Sequence, residues 1–204
     1  MEILSDTLKG LRIGFAMTGS FCTFEKCFQQ VEFLLKSGAN LLPIMSEHAS
    51  TISTRFGNAA ENIKRLSSLA GKPVILSIAE AETIGPQDLI DIMVVAPCTS
   101  NTAAKLAASV TDTTVTMAVK SHLRNGKPVV LAIASNDSLM GSAKNLGELF
   151  NRKNYYFVPM LQDDWINKPA SLVAEFSLLP KTIEAALNEV QLRPIIYHFS
   201  PKNM

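Results

Sequence analysis

The stretch Ile92-Met93-Val94-Val95-Ala96-Pro97-Cys98-Thr99-Ser100-Asn101-Thr102-Ala103-Ala104-Lys105-Leu106-Ala107 carries the fold class of this chain. Five apolar residues run without a polar break, and Pro97 ends them. Small hydroxyl and amide side chains follow, then an Ala-rich segment of high helix propensity. A short, continuous apolar run is the mark of a strand covered on both faces, as in parallel sheets. The whole stretch therefore reads as a buried parallel strand, a polar turn and a helix start. In open α/β sheets ligands sit at the carboxyl ends of the strands, where such turns lie.

The same alternation extends in both directions. Lys9–Met17 is a first strand and Thr18-Gly19-Ser20 its turn. Helical spacing of Phe24, Phe28, Val31, Leu34 and Leu35 predicts a helix over Phe21–Ser37, ended by Gly38. Ala39–Met45 is a second strand, followed by the polar turn Ser46-Glu47-His48. Strand, helix and strand within about forty residues make a right-handed crossover unit. Ser50–Phe56 reads as a short helix, Asn58–Ala70 as another closed by Gly71, and Val74–Ile78 as a strand or an extended connection. The central strand is expected over Leu89–Ala96 and its helix over Asn101–Ser109. Asp112 is the candidate N-cap of a helix over Thr113–Arg124. Pro128–Ala134 is a further apolar strand with the turn Ser135–Ser138, then a helix over Ser142–Phe150 and a last strand over Tyr155–Met160. Gln162–Pro169 is a polar loop holding Trp165. Ala170–Val190 reads as a long helix interrupted at Pro180, and Leu192–Met204 as a tail without periodicity. The expected fold is α/β: a three-layer, doubly wound, mainly parallel sheet forming one domain over residues 1–204, with a C-terminal helical segment and tail from about residue 161.

Hydrophobic residues make up 47 % of the chain and charged residues only 18 %, so part of the apolar excess is expected to face another copy in an oligomer. The apolar runs are far shorter than a membrane span. Glu2 and Asp6 precede the first of them, so no secretory leader is expected. A net charge of +1 without a basic run gives no electrostatic case for nucleic acid. Cys22, Cys27 and Cys98 lack metal-ligand spacing and read as reduced thiols in a cytoplasmic protein, and the scattered His48, His122 and His198 add no metal site.

The turns 18–20, 46–48, 98–102 and 135–138 are rich in Ser, Thr and Asn. Backbone amides and hydroxyls at helix starts suit an anion such as phosphate, and the same residue types also serve as plain helix caps. A cap is the simpler reading of any one turn. Four on one sheet edge favour a phosphate-bearing ligand. Gly14–Ser20 has too few glycines for a dinucleotide turn, and no Walker lysine follows Gly19. His48 is either an acid or base or a solvated helix-start residue, the second being the simpler. Cys98 is either a helix-start nucleophile or a packed small residue. Asn101 is either a paired hydrogen-bonder to a planar heterocycle or carboxylate, or a cap. Trp165 with Asp163 and Asp164 is either a lid or a surface loop with one anchoring aromatic.

Ala96–Ala107 resembles the Ala-Pro-x-Thr/Ser-Ala-Asn-Thr-x-x-Lys signature of the flavoprotein family, which includes homo-oligomeric flavin-containing cysteine decarboxylases and prenyl-FMN synthases. Ile13–Ser20 resembles the family's opening strand and phosphate turn, and Asp112-Thr113-Thr114 its Asp-Asn-Leu region. The likeness covers about residues 9 to 160. It implies FMN, with its phosphate at Thr18, Gly19, Ser20 and Ser46, and its ring or ribityl chain at Cys98, Thr99, Asn101 and Thr102. Ser135 and Asn136 are also placed at that site. Within the family, Cys98–Thr102, Ala134-Ser135-Asn136-Asp137 and the segment Asp163-Asp164-Trp165, Lys168-Pro169 and Ser171 resemble a branch made in the mother cell of sporulating bacteria. That implies one component of an oxidoreductase for a small dicarboxylate, with a partner that holds NADP, and a homo-oligomer built on trimers. No residue is assigned to acid–base catalysis. The family's decarboxylases carry a His before the signature strand, where this chain reads Val74-Ile75-Leu76-Ser77-Ile78. They carry Pro-Ala-Met-Asn where it reads Ala134-Ser135-Asn136-Asp137, and no Cys follows Cys98. These departures disfavour cysteine decarboxylation. A non-catalytic structural or regulatory component, and a stand-alone flavin decarboxylase or prenyltransferase, remain the alternatives.

Overall fold

The computed structural model describes residues 6–197. Its strands are β1 (Arg12–Met17), β2 (Asn40–Met45), β3 (Ile92–Cys98), β4 (Val129–Ser135), β5 (Tyr155–Phe157), β6 (Met160–Leu161) and β7 (Leu172–Ala174). Strands β2, β1, β3 and β4 lie side by side and parallel. The first half of β4 takes β5 in parallel, while its end takes β7 antiparallel, and β6 closes the edge against β7. The helices are α1 (Phe24–Lys36), α2 (Glu47–Thr51), α3 (Ala59–Ala70), α4 (Ile78–Glu82), α5 (Ser100–Ala107), α6 (Thr114–Leu123), α7 (Ala143–Phe150) and α8 (Leu179–Leu187).

Alternation along the central strands divides the core in two. Phe15, Met17, Val94, Ala96, Val130 and Ala132 pack with residues of α1, α3 and α8. Ala16, Met93, Val95, Leu131 and Ile133 pack with residues of α4, α5, α6 and α7. Both faces of the sheet are covered, which is why these strands are apolar at nearly every position. The three-layer, mainly parallel sheet matches the expectation. Among the described residues, no helix is long and apolar enough to cross a membrane.

Several boundaries differ from the sequence expectations, each for a local reason. The central strand runs Ile92–Cys98 and passes through Pro97. At the sheet edge Pro97 has only to accept, and its carbonyl takes the Thr18 amide at 3.2 Å and the Thr18 hydroxyl at 2.7 Å. The short helix expected over Ser50–Phe56 starts earlier and spans Glu47–Thr51, because the Ser46 hydroxyl caps it through the Ala49 amide at 3.3 Å. Val74–Ile78 is a connection with a single bridge from Ile75 to Ile44, and a Ser77–Glu80 capping box then starts α4. The cap of α5 is Thr99, and the helix begins at Ser100. The cap of α6 is Thr113, in a capping box with Thr116, while Asp112 instead pairs with Lys105 at 2.7 Å. The helix expected over Phe21–Ser37 opens with a 3-10 turn, Phe21–Thr23. Tyr155–Met160 splits into β5 and β6 around Pro159, which has no amide to donate. The long helix expected over Ala170–Val190 is instead β7, a 3-10 turn at Phe176–Leu178 and α8. Pro180 starts α8 rather than breaking it, since a first-turn residue has no intrahelical amide bond to lose. His198 and the rest of the tail lie outside the described residues.

One buried group makes stability depend on pH. His122 on α6 is 1 % exposed, and its Nε2 lies 3.0 Å from the Pro128 carbonyl. Burial pushes the imidazole down to about 4, against 6.5 in the free side chain. The unfolded chain thus binds the extra proton first, so stability is lost as pH falls from 6.5 towards 4. This one group is expected to remove roughly 2 kcal/mol by about pH 5. Urea melts at neutral and mildly acid pH should show that loss in the wild type and a smaller one in His122→Gln. An equal loss in both would assign it elsewhere.

Candidate functional site

The carboxyl ends of β1, β2, β3 and β4 open on one edge, and their turns are stitched to one another. Thr18 is buried; its hydroxyl donates to the Pro97 carbonyl and accepts from the Thr99 amide at 3.0 Å. That one side chain locks the first turn against the signature turn. The Ser46 amide donates to the Met17 carbonyl at 3.0 Å, which brings in the turn after β2. The Thr99 hydroxyl accepts from the Thr102 amide at 3.2 Å and lies 3.1 Å from the Thr102 hydroxyl. In the fourth turn the Asp137 carboxylate accepts from Ser135 Oγ at 2.6 Å and Ser142 Oγ at 2.9 Å. These hydroxyl bonds hold the Asp137 carboxyl below the usual carboxylate range and order the loop between β4 and α7.

Two cavities open between these turns. The first, of about 460 Å³, is lined by Thr18, Gly19, Ser46, Glu47, His48, Thr99–Thr102, Lys105, Asp112 and Thr113, with Phe21 and Ile52. The second, of about 480 Å³, is lined by Gly19, Ser20, Cys22, Lys26, Thr99, Ser100, Ser135, Asn136, Asp137, Asp163 and Lys168, among others. Gly19, Thr99 and Ser100 form the shared wall. Volumes of this order are those of small-molecule sites.

Nine of the sequence-predicted residues line these cavities: Thr18, Gly19, Ser46, Thr99, Asn101 and Thr102 in the first, Gly19, Ser20, Ser135 and Asn136 in the second, with Thr99 common to both. Cys98 does not. Strict alternation from Ile92 would send it to the α1 face with Val94 and Ala96, but the pairing of β3 with β4 shifts register between Val95 and Cys98. The side chain therefore packs in the opposite core with Val95. Its thiol is fully buried, and burial pushes it up to about 12, so it is protonated and is no nucleophile. The hydroxyls of Thr18 and Thr99 both donate and accept within the scaffold, and that of Ser46 accepts from the Ala49 amide. What faces a ligand is the Gly19 turn, the exposed Asn101 amide, and the first-turn backbone amides that any helix start leaves over.

Sequence reasoning passed over Lys26, and it quoted Lys105, Asp137 and Lys168 within motifs without giving them a place at the site. Lys105 is held at 2.7 and 2.9 Å by the two Asp112 oxygens. Its place inside the signature stretch was the available signal. Trp165 is 61 % exposed, so it is not an anchoring aromatic.

A family model described as Flavoprotein matches residues 1–174. The B subunit of dipicolinate synthase from Bacillus subtilis (strain 168) is 47 % identical over 190 residues, covering 93 % of this chain and 95 % of that protein. The crystal structure of the same component from Bacillus halodurans C superposes with a TM-score of 0.86 at 40 % identity, over 95 % of this chain and 99 % of that one. DmrB of Burkholderia xenovorans, solved in complex with FMN and described as a cubic protein cage for redox transfer, shares the fold, with a TM-score of 0.63 at 16 % identity, over 87 % of this chain and 96 % of that one.

Proposed function

This chain belongs to the flavoprotein family, and we propose that it works as the B subunit of a dipicolinate synthase, an oxidoreductase whose other component binds a nicotinamide cofactor. The observation that carries the reading is the near full-length identity of 47 % to a protein of that name, joined to a cavity lined by polar turns at the carboxyl ends of the strands. FMN is the cofactor proposed for the first cavity. When bound, it supplies an acceptor for the hydride that leaves a dihydropyridine on aromatisation.

The chain's own residues bind and orient. The Gly19 turn and the turn capped by Ser46 would take the phosphate; Ser20, expected there from the resemblance, lines the second cavity instead. Asn101 and Thr102 would take the ribityl chain and ring, on a turn that Thr99 holds in place. Ser135 and Asn136 would face the substrate in the adjoining cavity. No Gly-x-Gly-x-x-Gly turn is present in the sequence to hold a nicotinamide dinucleotide, so NADP is assigned to the partner. The reading places the pair in the mother-cell cytoplasm of a sporulating bacterium, with this chain as a homo-oligomer built on trimers.

The test is dipicolinate formation from the dihydrodipicolinate-level intermediate, followed by absorbance. Each of the two proteins is assayed alone and both together, with and without NADP and FMN. Turnover is expected only with both present. Full turnover by this chain alone would overturn the proposal. Full activity of the nicotinamide-binding partner alone would favour the structural role.

A further inference from the structure

We propose that Lys26 and Lys168 form a two-point seat in the second cavity for a planar dicarboxylate, one ammonium to each carboxylate. The inference rests on the functional reading above, which gives the second cavity Ser135 and Asn136 but no charged recognition element.

The two lysines come from elements far apart in sequence, yet both line this cavity. Lys26 lies in the first turns of α1, where its neighbours Phe24, Cys27 and Phe28 are buried and fix the helix. Lys168 lies in the loop between β6 and β7, and its backbone is pinned on both sides. Its amide donates to the Asp164 carbonyl at 2.7 Å, and its carbonyl accepts from the Ser171 amide at 3.0 Å. The Asp164 carboxylate braces the same loop by accepting from the Asn167 amide and side chain at 3.2 and 3.0 Å.

The stems are thus placed while the ammonium groups stay uncommitted. Among the described residues, neither lysine makes an ion pair, whereas Lys105 and Lys127 do. The two carboxylates on the same wall accept from hydroxyls and pair with neither lysine. Asp163 accepts from Ser171 Oγ at 3.1 Å, and Asp137 accepts from Ser135 and Ser142. Asn136 and Ser20 add neutral donors and acceptors beside the lysines. Two cations from separate elements, paired by neither of the two carboxylates on the wall, suit a ring with two carboxylates better than one with a single carboxylate, because a monoacid leaves one cation unanswered.

Isothermal titration of this chain assembled with its partner, using dipicolinate and the monoacid picolinate, tests this directly. The wild type is expected to prefer dipicolinate at least about tenfold. Lys26→Gln and Lys168→Gln should each weaken dipicolinate at least about tenfold, with picolinate much less affected and melting temperatures unchanged. Lys168→Arg should recover most of the loss. Dipicolinate affinity unchanged in either Gln variant, or a wild type that does not discriminate between the two acids, would overturn the seat. The assay of dipicolinate formation fails or succeeds separately, so loss of the functional reading and loss of the seat are distinguishable.

Discussion

Replacing Gly19 with aspartate is expected to leave the fold intact and to weaken FMN binding by at least about a hundredfold. Gly19 belongs to the wall shared by both cavities. A Cβ there would meet His48 Cβ at 3.6 Å and the Phe21 ring at 3.7 and 3.8 Å, which is ordinary contact, so the side chain fits. Its carboxylate would stand where the phosphate is placed. Two unit charges about 5 Å apart at an effective dielectric of about 20 repel by about 3 kcal/mol, which corresponds to a factor of more than a hundred. Gly19→Asn has nearly the same shape without the charge and should lose far less. Flavin fluorescence titration of the three proteins separates charge from size. FMN affinity in Gly19→Asp within threefold of the wild type would place the phosphate elsewhere.

The sheet was legible because β1, β3 and β4 are covered on both faces, and a strand with two dry faces has no polar residue to disguise it. Three of the four polar turns were legible for a related reason, since each follows such a strand; the turn 46–48 follows β2, whose Asn40 is exposed and Leu42 half-buried. Which residue within a turn does what was less legible. Thr99, Asn101, Asp112 and Thr113 are all residue types that cap helices, so the caps fell two residues early at α5 and one late at α6. Cys98 was misplaced because a register shift reverses the alternation at the last residue of β3, and composition carries no trace of it. β7 was missed because three residues are too few to show a period of two against the helical pattern that follows. Lys26 and Lys168 look like any solvated lysine until the fold places both on the lining of one cavity.

Gly85 shows the same gap between pattern and packing, and it carries the largest expected effect on stability. Gly85-Pro86 reads in the sequence as a chain break. In the structure Gly85 is buried where the segment after α4 meets α6, and a Cβ there would overlap the Ser121 carbonyl oxygen and lie 2.8 Å from Ser121 C and Oγ. The contact is tied on all sides. The Gly85 amide donates to Ser121 Oγ at 2.8 Å, that hydroxyl donates to the Glu82 carbonyl at 2.6 Å, and Asn125 Nδ2 donates to the Gly85 carbonyl at 2.8 Å. Gly85→Ala must therefore push α4 and α6 apart, because the obstacle is helix backbone rather than the end of a flexible side chain. Overpacking of this kind costs about 3 kcal/mol. In a chain of this size that lowers the melting temperature by roughly 6 to 12 °C. The effect should reach the site, since Thr113 caps α6 and lines the first cavity, and the Thr114 hydroxyl holds the Leu76 carbonyl at 3.0 Å. Ser121→Ala removes the hydroxyl bonds without the overlap and should cost only about 1 to 2 kcal/mol. Calorimetry and FMN titration on both variants resolve the two contributions. A Gly85→Ala protein that melts with the wild type would show that the helices part freely there, and the rim of the first cavity would then owe nothing to this contact.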